Sequence, residues 1–155
     1  MTISKVNVHN LDSIDLTKAE DDIIYHNVID DSPHFSVGIF FMPKGTTIPL
    51  HDHINLLVFS KTLYGSLEIT SYDKVDPNDK NVKFFEVKVS ETVTYKQGEI
   101  SVLTPSFKNY HQITAIEDSA LFDVLIPDYG SNDCNYYKVS RLLDKYYFKQ
   151  IKSSF

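Results

Sequence analysis

Apolar residues in this 155-residue chain recur on alternate positions in separate runs: Phe35, Val37, Ile39 and Phe41, then Leu63, Leu67 and Ile69, then Phe85, Val87 and Val89. A period of two puts such residues on one face of an extended strand, a pattern that suits a half-buried sheet and not a helix. Turn-forming residues separate the runs, at Asp31-Ser32-Pro33, Pro43-Lys44-Gly45, Asp76-Pro77-Asn78-Asp79, Lys96-Gln97-Gly98 and Pro127-Asp128-Tyr129-Gly130. About ten short strands follow, which predicts an all-β sandwich or jelly-roll barrel. Ten Phe and ten Tyr beside no Trp favour the same class, because these rings fit a pleated surface. No repeat, low-complexity tract or linker divides the chain, so residues 1–155 are read as one domain with its core at about 23–150. Residues 1 to 22 are polar and acidic, punctuated by Leu11, Ile14 and Leu16, and read as a short helix or a docked lead-in. From Tyr136 onward, Val139, Leu142, Leu143, Tyr146 and Tyr147 suit a helical stripe as well as a final hairpin.

Charge and cysteine usage narrow the partners. A formal charge of −6, with no stripe of Lys and Arg among aromatics, opposes binding to a phosphate backbone, so nucleic acid is not expected. The single cysteine, Cys134, rules out an internal disulfide and any multi-cysteine zinc motif and fits a reducing compartment. The first sixteen residues carry no basic region followed by an apolar run, and no stretch of eighteen apolar residues occurs. The expectation is a cytoplasmic protein, with the nucleus open to it, that needs no membrane. With no uncovered apolar stripe to ask for a partner, a monomer is expected.

The densest chemistry lies at Pro49-Leu50-His51-Asp52-His53. Two apart in an extended chain, His51 and His53 present their imidazoles on one side while Asp52 faces the other, which makes a two-point chelate. His111, from a separate strand-like segment after Pro105, can complete one face of a metal ion and leave other positions open. The competing reading is that these histidines merely hydrogen-bond within strands. Gly45, six residues before His51, and Gly65, twelve after His53, favour the metal, because this is the spacing of the first cupin motif; Gly98, Pro105 and His111 follow the second more loosely. The glutamate usual in cupins would fall at Val58. A three-histidine site without a carboxylate is thus implied, and three neutral ligands leave a divalent ion its full charge for an anion such as a thiolate. His9, His26 and His34 have no such company and read as surface or loop residues.

The run PLHDHINLLVFSKTLYGSLEITSYD, residues 49 to 73, resembles the cysteamine dioxygenase and plant cysteine oxidase family of thiol dioxygenases in the cupin superfamily. SVGIFFMPKG at 36 to 45, YHQITAIEDSALFDVLIPDY at 110 to 129 and NDCNYYKV at 132 to 139 extend the likeness over most of the chain after about residue 35. The resemblance implies a cupin double-stranded β-helix with short peripheral segments at both ends. It also implies Fe(2+) held by His51, His53 and His111, and insertion of both atoms of O2 into a thiol to give a sulfinic acid. Substrate thiolate and amine would take two open positions at the iron and O2 the third. The implied substrates are cysteamine or the amino-terminal cysteine of a peptide or protein, the latter product serving as an oxygen-dependent degradation signal. A Pro-Gly pair common in the family after the second histidine is replaced here by Ile54-Asn55, and the long amino-terminal extension of larger members is mostly absent.

Several further residues bear on the chemistry. Asp123 sits in the apolar run Ala120-Leu121-Phe122-Asp123-Val124-Leu125-Ile126, where a carboxylate needs a partner. That partner is backbone or a tyrosine hydroxyl in a structural role, or a ligand histidine to be oriented. The resemblance adds the ammonium of a substrate, and it places Tyr129 near the site, where its hydroxyl can bond oxygen or substrate. Cys134 alone reads as a small buried hydrophobe, but the resemblance makes Cys134 and Tyr136 a candidate thioether pair. Arg141 is the only arginine, so a guanidinium clamp for a substrate carboxylate is scarce, which favours cysteamine or a peptide amino terminus. The peptide is preferred, because the segments LYGSLEITSYD and VFSK look closer to the plant oxidases. Rival readings are a non-catalytic cupin that binds a small ligand, and a zinc- or manganese-loaded cupin acting as an isomerase or lyase.

Overall fold

Eleven strands carry the chain through residues 22–31, 33–127 and 134–152, the parts that the computed structural model describes. They are β1 (Ile24–Asp31), β2 (Phe35–Met42), β3 (Thr47–His51), β4 (Leu57–Tyr64), β5 (Ser66–Lys74), β6 (Phe84–Lys96), β7 (Ile100–Leu103), β8 (Tyr110–Ala115), β9 (Ser119–Ile126), β10 (Tyr136–Leu142) and β11 (Lys145–Ile151). The reading of residues 1 to 21, including His9, and the role given to Tyr129 lie outside the described residues. Among those described there is no helix, as the period-two pattern predicts.

The strands form two sheets. One has the order β1-β2-β9-β4-β7, and the other closes as a barrel in the order β10-β11-β6-β5-β8-β3. Every pairing is antiparallel, so each strand can bury one face or both without crossover helices. Gly65, at the β4–β5 turn, shows why the sequence needs glycine there. Its φ is +79°, and a Cβ would collide with Ser119 Oγ and the Asp118 carbonyl. Gly45, at φ +84°, serves the β2–β3 turn through its conformation alone, with open space around it.

The alternation of β2 sorts two environments. Val37, Ile39 and Phe41 join Leu63, Ala120, Phe122 and Val124 in one buried cluster, while Ser36, Gly38 and Phe40 point to the other face, toward the second sheet. Between the sheets lie Met42, Ile48, Leu67, Ile69, Ile113, Ala115 and Leu121, with Phe40 against them. Residues Ser119 to Leu125 of β9 are all buried, which explains why that strand reads as a continuous apolar run. The second sheet's far face turns onto an aromatic cluster built on Leu50, Phe85, Val87, Tyr137 and Phe148.

The tail resolves into the β10–β11 hairpin. Tyr137 and Phe148 are its buried residues, whereas Val139 is 44% and Leu142 65% exposed, so the helical stripe is not the one that packs. Val89 departs in the same way. At 43% exposure it is not part of the core, because a register shift between Ser71 and Tyr72 interrupts the alternation opposite it.

Candidate metal centre and its cavity

The three histidines meet where β3 and β8 pair. His51, the last residue of β3, stands directly opposite His111 on β8, and directly opposite residues of antiparallel strands share a face. His111 therefore lies within a strand. His53 lies just past the end of β3, so strand geometry alone does not aim it. Asn109 does: its Oδ1 accepts the His53 N–H at 3.0 Å and its Nδ2 donates to the His53 carbonyl at 2.7 Å. The same amide donates to the Thr104 carbonyl at 3.3 Å, which fixes the clamp to the segment before β8.

The two separations from His53 fit a single ion. His53 Nε2 lies 3.1 Å from His51 Nε2 and 3.4 Å from His111 Nε2, and all three donor atoms fall within 4.8 Å of one another. Imidazole nitrogens about 2.1 Å from a divalent metal stand roughly 3.0 to 3.4 Å apart for right-angle to tetrahedral ligand angles. His51 Nδ1 donates to the Pro49 carbonyl at 2.7 Å, which leaves the lone pair on Nε2. Burial lowers the pKa of His51, and it holds His53 and His111 well below the usual imidazole range, reinforced by their neighbouring rings. Neutral imidazoles are what a metal needs, so the site is ready without losing protons.

Asp52 faces away from the histidines, as the alternation predicts, and has a structural task. Its Oδ1 accepts the Asn135 N–H at 2.8 Å, and its Oδ2 accepts Asn135 Nδ2 at 3.1 Å and the Tyr137 hydroxyl at 2.9 Å. The Asp52 N–H donates in turn to the Asn135 carbonyl at 3.1 Å. These bonds dock the start of β10 beside His51, and Tyr136 pairs with His51 across the strands. The Tyr136 ring sits 6.2 Å from that of His51.

A cavity of about 460 Å³ opens onto the three histidines and is bordered by Asp123, Cys134 and Tyr136. The sequence-derived candidates thus converge among the described residues. Asp123 reaches the cavity from β9, opposite Gly38 of β2 and Ser60 of β4. Burial pushes its carboxyl up from 3.8 to about 6, opposed by a hydrogen bond from the Ser60 hydroxyl. Its Oδ1 is buried with no partner among the described residues. Cys134 is half-buried at the cavity wall and not in a core.

Val58 packs with Leu56, Leu103 and Leu125, so the position of the usual cupin glutamate is an apolar wall. Arg141 lies in the exposed hairpin beside Asp144, 3.7 Å away, and does not border the cavity. No lysine or arginine appears among the described residues of that wall. His26 and His34 are exposed, as expected. Sequence reasoning missed Tyr25, Ser36, Phe40, Ser60 and Asn109. Ser36 and Phe40 share the parity of Gly38, which pairs opposite Asp123 as Ser60 does, so their inward aim follows once the strand register is known.

Two sheets enclosing three convergent histidines define a cupin able to hold a metal ion. Solved structures agree on the fold. The chain is similar to an RmlC-like cupin protein from Desulfovibrio desulfuricans, at TM-score 0.51 and 19% identity over 70% of this chain and 88% of that one. It is also similar to the Cnp3 cupin domain of Schizosaccharomyces pombe, at TM-score 0.52 and 17% identity over 70% and 67% of the two chains. Residues 3–153 match the PCO_ADO family, and the chain belongs to it. Plant cysteine oxidase 1 of Arabidopsis thaliana is 37% identical over 66% of this chain and 37% of its own length. The 2-aminoethanethiol dioxygenase of Homo sapiens is 33% identical over 68% and 48%, and a probable 2-aminoethanethiol dioxygenase of Dictyostelium discoideum is 32% identical over 75% and 56%. The matched region thus spans about a third to a little over half the length of these relatives.

Proposed function

We propose that this chain is an iron-dependent thiol dioxygenase that converts an amino-terminal cysteine of a peptide or protein to its sulfinic acid. The observation that carries the proposal is the joining, in one cavity, of three convergent imidazoles and a buried carboxylate with no cation among the described wall residues. Family membership and the relatives named for cysteine oxidation and 2-aminoethanethiol dioxygenation support the reaction class. Iron held by His51, His53 and His111 would supply open coordination positions and the electrons through which dioxygen reacts beside a thiolate.

The chain's own residues hold the reactants. The Pro49 carbonyl fixes the His51 imidazole, Asn109 holds the His53 backbone, and proximity of sulfur to oxygen supplies much of the rate. The reaction balances without a further reductant, because sulfur loses four electrons and the two oxygen atoms gain four; both atoms end on sulfur. Asp123, buried at the wall with an oxygen unpaired among the described residues, suits the ammonium of the substrate. The lack of a cation among the described wall residues argues against free cysteine, whose carboxylate would want one.

Cavity size favours a peptide over cysteamine. Cysteamine has four non-hydrogen atoms and fills about 120 Å³ at water-like packing, against a cavity of about 460 Å³. Cysteamine oxidation is the second reading, supported by the similarity to the 2-aminoethanethiol dioxygenases.

Metal analysis of protein purified without added metal comes first, with iron expected over zinc or manganese. Anaerobic iron-loaded protein is then given oxygen with a Cys-initiating peptide and with cysteamine. A gain of about 32 Da on the peptide supports the proposal. Gain on cysteamine alone supports the second reading, and no gain on either, with iron bound, overturns both.

A further inference from the structure

Asp123 has a neighbour across the sheet that no motif points to. On β1, Tyr25 pairs with Phe40 of β2, so it shares a face with Phe40 and, two residues along, with Gly38. Its ring lies 4.8 Å from that of Phe40 and over Gly38. A Cβ at Gly38 would collide with the Tyr25 hydroxyl and ring, so the phenol occupies the space where a side chain at position 38 would stand. Gly38 is in turn directly opposite Asp123 of β9. The absent side chain therefore admits the phenol to the flank of the buried carboxylate.

Both groups border the histidine cavity. The Asp123 charge is felt at Tyr25, where it adds to burial in raising the phenol pKa, with Asp30 contributing less. The phenol thus keeps its proton, and its oxygen remains a neutral acceptor. Asp123, 7% exposed, keeps Oδ1 unpartnered among the described residues, while Tyr25 is about half exposed. The two side chains border the same cavity wall. A primary ammonium carries three N–H donors and no acceptor, and two oxygens on one side of a cavity are a match for it.

We infer that Tyr25, seated over Gly38, is the second half of the substrate's amine site, its hydroxyl oxygen and Asp123 Oδ1 together accepting hydrogen bonds from the primary ammonium of an aminothiol. The inference rests on the thiol dioxygenase reading and deepens it, since it assigns the amine, as an ammonium, to the β1–β2–β9 wall and not to a position at the iron. Gly38 is the positioning residue, acting through the phenol.

The test compares two thiols with the same two carbons and sulfur, cysteamine with an amine and ethanethiol without. Their binding to full-length iron-loaded protein is measured anaerobically, by equilibrium dialysis, for the wild type and Tyr25→Phe. The ring stays over Gly38 in this variant and only the hydroxyl is lost. Loss of a hydrogen bond to a charged group should lower the cysteamine to ethanethiol affinity ratio by about tenfold or more, with ethanethiol affinity unchanged. Gly38→Ala, which displaces the ring, should lower the ratio in the same direction. An unchanged ratio in Tyr25→Phe, or equal weakening of both thiols, overturns the inference while leaving thiol oxidation standing if the wild type still turns over. A wild type that binds neither thiol also overturns the inference, while the thiol dioxygenase reading then stands or falls on oxidation of the Cys-initiating peptide.

Discussion

Replacing Asp123 by asparagine tests whether the cavity wall holds a carboxylate at the expense of stability. Burial raises this group from 3.8 to about 6. Keeping it ionised at neutral pH therefore costs the folded state about 3 kcal/mol relative to an unpaired aspartate in the unfolded chain. Between these values the folded protein binds the proton more tightly than the unfolded chain does. Stability from this group is thus full below about pH 3.8 and declines as pH rises, with the loss complete somewhat above pH 6. The amide of the Asp123→Asn variant would keep an oxygen for the Ser60 hydroxyl, but its N–H donors lack acceptors, which offsets part of the gain by about 1–3 kcal/mol. The absolute change at pH 7 is therefore small. The change with pH is the sharper quantity: the stability of Asp123→Asn minus that of wild type should rise by about 2 kcal/mol between pH 4.5 and 7.5. Urea unfolding of both metal-free proteins at several pH values measures it, and histidine titrations shared by the two cancel in the difference. A pH-independent difference would refute the placement of Asp123 as a buried, titrating wall residue.

Three further outcomes follow from the site. His111→Ala should lower iron affinity by more than the roughly 10–100-fold that losing an outer hydrogen-bond partner costs, read by metal content after dialysis, with the β-sheet circular dichroism retained. Asp52→Ala strands the Tyr137 hydroxyl and the Asn135 N–H groups and should destabilise the protein by roughly 3 kcal/mol in urea, since each unsatisfied buried group costs about 1–3; iron should still bind, because Asp52 faces away from the ligands. Cys134 and Tyr136, both on the cavity wall, should join during turnover with iron and oxygen, lowering the intact mass by about 2 Da as two hydrogens leave, and Tyr136→Phe should abolish the change; an unchanged wild-type mass counts against the pair.

How far the sequence led depends on the range of the contact involved. The period of two at Phe35 to Phe41 was enough for a sheet, and the same rule aligned His51 with His53 and turned Asp52 outward. It stopped short at His53, which lies past the strand and is aimed by Asn109, a partner 56 residues away that no local pattern predicts. Asp123 stood out because a charge interrupts an apolar run, and that run is apolar because β9 is buried on both faces. Tyr25 did not stand out. Its relation to Asp123 passes through two strand pairings and depends on a missing Cβ at Gly38, so it appears only once the register is known. The alternating apolar residues of β2 drew the eye to the face away from the site, while Ser36, Gly38 and Phe40 form the face that matters. The tail was ambiguous because its apolar spacing satisfied both periods, and long-range pairing of β11 with β6 decided for the hairpin.

Thiol dioxygenation by this chain is tested most directly by the origin of the product's oxygen. Iron-loaded protein should be given a Cys-initiating peptide under dioxygen-18 in ordinary water, and the peptide followed by mass. A sulfinic acid in which both oxygens carry the heavy isotope, formed without added reductant, is expected. A product with one labelled oxygen, with none, or with no oxygen gained at all would contradict it.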